Sequence, residues 1–281
     1  MMSDKGISIA FATICLFLIV ALMPALAGTN PLLQRAEGAQ TLKEEIITYN
    51  HGNTVLEGYL VYEESVKDKR PGVIIIHEWM GLSEYEKMRA RQIAELGYVA
   101  FAADIYGKGV RPKNADEAAQ LAGKFRSDRN LLRGRGQAAL SVLQNHPLVD
   151  PERIATMGYC FGGGASLELA RNGAPIRGAI SFHGNLDTPN PDDAKNIKGS
   201  ILVLHGADDP MVPMEQVFAF QEEMRSANVD WQMIFYGNTV HSFTNPKSGN
   251  NPEIGVAYNP ISDRRSFEAM KAFFNEIFAR G

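Results

Sequence analysis

Short, nearly unbroken apolar runs constrain this chain more than any other feature: Val73-Ile74-Ile75-Ile76, Tyr98 to Ala103, Ile154 to Met157, Gly178 to Phe182 and Ile201 to Leu204. A strand with one wet face alternates apolar and polar side chains, whereas a run with no polar positions is covered on both faces. Stretches at helical spacing separate the runs, at about 84–96 (stopped by Gly97), 115–125, 131–144, 163–171, 214–227 and 262–280. Phe267, Met270, Phe274, Ile277 and Phe278 make a core-facing stripe on the last. Strands alternating with helices imply an α/β fold, a mostly parallel central sheet with helices on both faces and right-handed crossovers. Ahead of it, Glu45–Tyr49 and Val55–Tyr62 flank the turn Asn50-His51-Gly52-Asn53, and Trp231–Tyr236 reads as a further strand. Ligands of such sheets bind at the carboxyl ends of the strands, so chemistry is to be sought just after each run.

The 281 residues, 45% hydrophobic and 21% charged, suffice for one large core. A net charge of −4 with no basic stripe argues against a nucleic-acid partner. Lys5, the apolar run Ile7 to Leu22, Pro24 and Ala25-Leu26-Ala27 read as a signal peptide, residues 1–27, cleaved ahead of Gly28. The alternative is a retained anchor, for which the run is short of the roughly 20 residues of a comfortable span. No cysteine stands immediately after the cleavage site, as a lipoprotein would require. Residues 28–43 read as a leader and 44–281 as the domain. The expectation is an exported protein, periplasmic or secreted, with no stable membrane insertion after cleavage. Of the two cysteines, Cys15 leaves with the signal, so Cys160 has no partner for an internal disulfide. It is either a buried inert thiol or a reactive one.

Its surroundings favour reactivity. Gly158-Tyr159-Cys160-Phe161-Gly162-Gly163 lies between a strand and a helix. It has the form of a nucleophile elbow with cysteine in place of serine. The turn lifts the side chain out of the sheet, and glycines two before and two after allow the backbone to close on itself. The helix N-terminus directs free N–H groups at Cys160 and favours a thiolate, and the Phe161 N–H can serve as one arm of an oxyanion hole. In such folds the acid and the base follow the nucleophile in that order. Of the six histidines, only His241 follows Cys160, a strand and a candidate acid; His183 and His205 end strands and suit local hydrogen bonds. The acid comes from Gly206-Ala207-Asp208-Asp209, where Asp209 has the spacing to hold an imidazole and Asp208 is its rival as acid or turn cap. The loop His77-Glu78-Trp79-Met80-Gly81 offers the second oxyanion N–H from Trp79. Glu78 there is either an ion-pair or capping residue, or a carboxylate that modulates the thiol.

Together these residues resemble the dienelactone hydrolase (carboxymethylenebutenolidase) family of the α/β-hydrolase superfamily, over about Glu44 to Phe278. The resemblance rests on His-Glu-Trp-Met-Gly at 77–81, Ala-Asp-Ile-Tyr-Gly at 103–107, Gly-Tyr-Cys-Phe-Gly-Gly at 158–163, Gly-x-x-Asp-x-x-Val-Pro at 206–213 and His-Ser-Phe at 241–243. It implies a monomer that works on a small-molecule ester or lactone without cofactor or metal. It also implies attack by Cys160, His241 as base, Asp209 as its orienter and Glu78 in contact with the resting thiol. Two positions depart from the family's pattern. Where the family holds a substrate carboxylate with arginines, this chain has Lys108 or Arg111 in one loop and Asn245 in the other. A neutral amide cannot make the bidentate, charge-assisted pair of an arginine.

The expected activity is hydrolysis of carboxylic esters or lactones through an acyl-cysteine. A thioesterase or acyltransferase would use the same triad and differ in acyl acceptor. A binding protein on a hydrolase scaffold would have no need of nucleophile, acid and base in order. A metal site built from His77, His183 and His205 is the remaining alternative, although their spacing matches no zinc pattern.

Overall fold

The structure, a computed structural model, describes residues 41–280. Its organising element is the run around Ile74. Strand β3 (Arg70–Ile76) pairs in parallel on one side with β4 (Val99–Ala103) and on the other with β5 (Val149–Tyr159). The parallel series continues through β6 (Gly178–Phe182), β7 (Ser200–Gly206) and β8 (Trp231–Tyr236). At the other edge β1 (Leu42–His51) and β2 (Thr54–Glu63) form an antiparallel hairpin, and β2 adds to β4 antiparallel. The eight-stranded sheet therefore has the order β1-β2-β4-β3-β5-β6-β7-β8. The first strand begins at Leu42, two residues ahead of the domain start expected from sequence, and its turn narrows to Gly52 and Asn53.

Because side chains alternate along a strand, each buried run feeds two cores. Ile74 and Ile76 join Phe101, Ala179 and Val203 on one face, while Val73 and Ile75 join Ala102, Ile180 and Leu202 on the other. The first face is covered by α2 (Ala115–Ser127), α3 (Arg129–Gln144), α4 (Phe161–Arg171) and α5 (Met214–Ser226). The second is covered by α1 (Glu84–Glu95) and α6 (Pro260–Ala279). Met270, Phe273, Phe274 and Ile277 of α6 are buried there, and Phe267 and Phe278 pack at the margin. Each fully buried side chain of this kind contributes about 1.5–3 kcal/mol. Two-sided coverage is why the runs carry so few polar positions, Thr156 and Ser181 being the exceptions. Among the described residues no helix is long and apolar enough to cross a membrane. The expected signal peptide and nearly all of the leader lie outside the described residues.

The parallel strands all point one way, so the residues after them share one edge. His77 and Glu78 follow β3, Asp104 follows β4, Cys160 follows β5, His183 follows β6, Asp208 and Asp209 follow β7, and the loop to His241 follows β8.

Candidate active site

Cys160 sits between β5 and α4 with φ 53° and ψ −118°, left-handed backbone that costs a non-glycine residue about 1–3 kcal/mol. The elbow glycines explain how the chain tolerates it. A Cβ on Gly158 would overlap the carbonyl of Gly162, and one on Gly162 would overlap the carbonyl of Ile76. The Cys160 N–H is held from β6, donating to the Phe182 carbonyl (3.0 Å) and to His183 Nδ1 (3.2 Å). His183, itself at φ 40°, then donates from Nε2 to Thr244 Oγ1 at 2.7 Å. Burial first, then the charge of His241, pushes the His183 pKa well below the ordinary range, so it is a neutral brace for the elbow.

The structure brings Asp209 and His241 together. Asp209 Oδ2 accepts from His241 Nδ1 at 2.8 Å, and both residues are only 6% exposed. Asp209 Oδ1 accepts the Met211 N–H at 2.9 Å, which fixes the carboxylate, whereas Asp208 is exposed. The His241 backbone is clamped by Gly255 and Ala257. With Nδ1 committed to Asp209, the other side of the ring is left for Cys160. Burial alone would lower the pKa of His241; the negative charge of Cys160, then the Asp209 hydrogen bond, overcome it and raise it to about 10.

The two candidate oxyanion N–H groups are aimed by their own peptide planes. The Cys160 carbonyl accepts the Gly163 N–H at 3.0 Å, so the Phe161 N–H, on the far side of a trans peptide, points away from the helix. The Glu78 carbonyl accepts from the Gly81 N–H (3.1 Å) and from His77 Nδ1 (2.6 Å), which turns the Trp79 N–H the opposite way. Because a carbonyl can only accept, His77 carries its proton on Nδ1, and Nε2 accepts the Ile105 N–H at 3.2 Å. The loop is braced further: the Trp79 carbonyl accepts from Tyr106 Oη (2.9 Å), and the Glu78 N–H donates to Glu86 Oε1 (3.0 Å). Glu86 is buried and completes a capping box with Ser83 at the start of α1. Asp104 shapes the loop after β4 by accepting from the N–H groups of Tyr106 and Gly107, which presents Ile105 and Tyr106 to the braced loop.

Sequence reasoning did not single out His77, Tyr106 or Glu86 for this bracing. The Ser83-x-x-Glu86 spacing was a readable cap signal; the long-range bonds of His77 and Tyr106 had none. His77 and His183 spend both ring nitrogens on hydrogen bonds, which leaves His205, with an unpartnered Nδ1, as the one histidine of the three that keeps a nitrogen to offer, and among the described residues no group of three or more His, Cys, Asp or Glu side chains converges.

The residues expected near a substrate carboxylate are engaged elsewhere. Lys108 pairs with Glu57 at 2.7 Å. Arg111 donates to the carbonyls of Leu82 and Val110, both at 2.7 Å, and lies 3.7 Å from Asp104. Asn245 donates from Nδ2 to Glu78 Oε2 at 2.6 Å. Glu78, expected against the resting thiol, instead accepts from Asn245 and from Ser242 Oγ (3.1 Å), because two donors of the His241 loop claim both of its oxygens. Burial, then the charge of Glu86, raises Glu78 to about 7 against the pull of those hydrogen bonds and of His241.

Comparison with known proteins agrees with this architecture. The family model described as "Dienelactone hydrolase family" matches residues 56–278. The structure of a protein titled m3DLH is 40% identical and superposes with a TM-score of 0.82, covering 84% of this chain and 99% of the other. A dienelactone hydrolase-like promiscuous phosphotriesterase, P91, from metagenomic libraries, is also 40% identical, with a TM-score of 0.80 over 84% of this chain and 98% of its own. A Synechocystis protein provisionally named a carboxymethylenebutenolidase is 26% identical over 216 residues, 72% of this chain and 87% of that protein. With a matched model spanning the sheet from β2 to α6, this chain belongs to the dienelactone hydrolase family, α/β-hydrolases that act on small-molecule substrates.

Proposed function

We propose that the protein hydrolyses small carboxylic esters or lactones through an acyl-cysteine formed on Cys160. The observation that carries this reading is the buried 2.8 Å Asp209–His241 pair facing a thiol held on a strained elbow at a helix N-terminus. In the reacting form the proton is on the imidazole, the state of His241 that Cys160 and Asp209 both favour. The Cys160 sulfur attacks the carbonyl carbon, and the oxygen that gains the electron pair is received by the N–H groups of Phe161 and Trp79. As the tetrahedral adduct collapses, His241 passes its Nε2 proton to the leaving alkoxide. In a lactone that alkoxide stays tethered to the acyl group. Water then gives a proton to His241 and attacks the thioester, and expulsion of the sulfur restores the starting pair. Asp209 keeps Nδ1–H in place throughout, which fixes the tautomer and supports the imidazolium.

The test is Cys160→Ala assayed against p-nitrophenyl esters and simple lactones. Hydrolysis is expected to vanish while the circular dichroism and unfolding midpoint are kept, and iodoacetamide is expected to inactivate the unaltered protein. Full turnover by the alanine variant would overturn the mechanism.

A further inference from the structure

The Glu78 side chain crosses from the loop after β3 to the loop that carries His241. Its Oε2 accepts from Asn245 Nδ2 at 2.6 Å and its Oε1 from Ser242 Oγ at 3.1 Å. The direction of the Asn245 amide follows from its other end. Asn245 Oδ1 accepts the Lys247 N–H at 3.0 Å, so the atom left facing Glu78 is the NH2 group. Ser242 is fixed too, through a 2.8 Å hydroxyl pair with Ser248 and a backbone at φ 58°. The donors are therefore pre-set and the carboxylate is the piece they capture. The backbone of Glu78 is held at the same time, its N–H by Glu86 and its carbonyl by His77, and the next N–H along the chain is that of Trp79.

We propose that Asn245 is a positioning residue for the reaction: with Ser242 it clamps the Glu78 carboxylate between the two loops, and through Glu78 it keeps the Trp79 N–H aimed at the developing oxyanion. The inference rests on the ester-hydrolase reading above. It makes the clamp depend on charge, because hydrogen bonds to an ionised carboxylate are about twice as strong as those to a neutral group. The charged and titratable groups that bear on Glu78 are Glu86 and Tyr85 on α1, Tyr159 at the end of β5, and His241. Burial and Glu86 bring Glu78 to about 7, and the Asn245 bond works in the opposite direction. The clamp thus loosens as pH falls through about 7, and loss of Asn245 moves that midpoint upward.

The experiment measures kcat and KM for p-nitrophenyl acetate against pH in the unaltered protein, Asn245→Ala, Asn245→Asp and the exchange Glu78→Gln with Asn245→Asp. In parallel, carbon-13 NMR of the Glu78 carboxyl follows its titration in the unaltered protein and in Asn245→Ala. Asn245→Ala is expected to lower kcat by about ten- to a hundredfold, as a misaimed catalytic donor does. KM should stay within about twofold, and the acidic limb and the Glu78 midpoint should both move to higher pH. Asn245→Asp sets two carboxylates against each other and should be worse. The exchange variant again opposes an amide donor to a carboxylate whose other oxygen can accept the Lys247 N–H, and should recover much of kcat. An unchanged kcat and midpoint in Asn245→Ala would overturn the clamp. So would an exchange variant no better than Asn245→Asp, the deciding comparison if the alanine variant does not fold. The NMR midpoint separates this inference from the reading it rests on: absence of ester turnover in the unaltered protein counts against hydrolysis, while an unshifted midpoint counts against the clamp.

Discussion

Glu78→Gln is expected to stabilise this protein at neutral pH. The unfolded chain releases the proton of Glu78 near its ordinary value of 4.5, but the folded protein retains it up to about 7. Between those values the native state binds more protons than the unfolded state, so this group lowers stability as pH rises, and above about 7 its cost is constant. A shift from 4.5 to about 7 corresponds to about 3 kcal/mol at roughly 1.4 kcal/mol per unit. Glu78 keeps some solvent exposure, which discounts that figure, so a gain of about 1–3 kcal/mol is expected. For a domain of this size that is a rise of about 2–12 °C in Tm. The amide keeps an oxygen for Asn245 Nδ2 and turns its NH2 to Ser242 Oγ, so the change removes the charge with little rearrangement. The assay is urea unfolding of both proteins from about pH 4 to about pH 8, comparing the difference between them, in which the other titrating groups cancel. The two curves should coincide near pH 4 and separate toward pH 8. A constant difference across that range, or a less stable variant near pH 8, would refute the reasoning.

The acid should be Asp209 alone: Asp209→Asn is expected to lower kcat by roughly 10^3–10^4-fold because the amide favours the wrong imidazole tautomer, and Asp208→Asn, at an exposed position, should change it little. Neutral esters or lactones should be better substrates than a carboxylate-bearing dienelactone, since Lys108, Arg111 and Asn245 are already engaged with Glu57, Leu82 and Glu78. The absence of a charge-assisted pair is worth about ten- to a hundredfold in affinity, and a kcat/KM comparison that favours dienelactone would contradict it. Export is checked by N-terminal sequencing of the protein from its native host, expected to start at or near Gly28; an intact Met1 in a cytoplasmic fraction would rule it out.

What could be read from sequence follows from how local each determinant is. The strands from Val73 to Leu204 were legible because two-sided burial writes itself into consecutive residues, and all of them appear in the sheet, although β5 runs over Val149–Tyr159 where only Ile154–Met157 was expected and β3 begins at Arg70 rather than Val73. The elbow was legible for the same reason: Gly158 and Gly162 answer to clashes with backbone within a few residues or one strand away. The short 3-10 segments Pro246–Ser248 and Pro252–Ile254 were not, since each is fixed by an asparagine cap and by contacts rather than by periodicity. The rest of the site is held by bonds between distant residues, such as Glu78 with Asn245, 167 positions apart, and His183 with Thr244, 61 apart.

The same distinction bears on Glu78. A resemblance carries over a residue type, and the glutamate stands where the family's pattern puts it, but its hydrogen bonds depend on what faces it. Here that is Asn245, so the carboxylate meets a neutral donor whose other end is bound to the backbone of Lys247. An arginine at that position would bring a charge, favour the ionised glutamate more strongly and remain free to exchange its partner for an anionic substrate. An amide pinned at both ends can do neither. On the proposed reading, the departure at one position would act on three things together: the charge state of Glu78 near neutral pH, the hold on the loop bearing the Trp79 N–H, and the expected preference for a neutral over an anionic substrate.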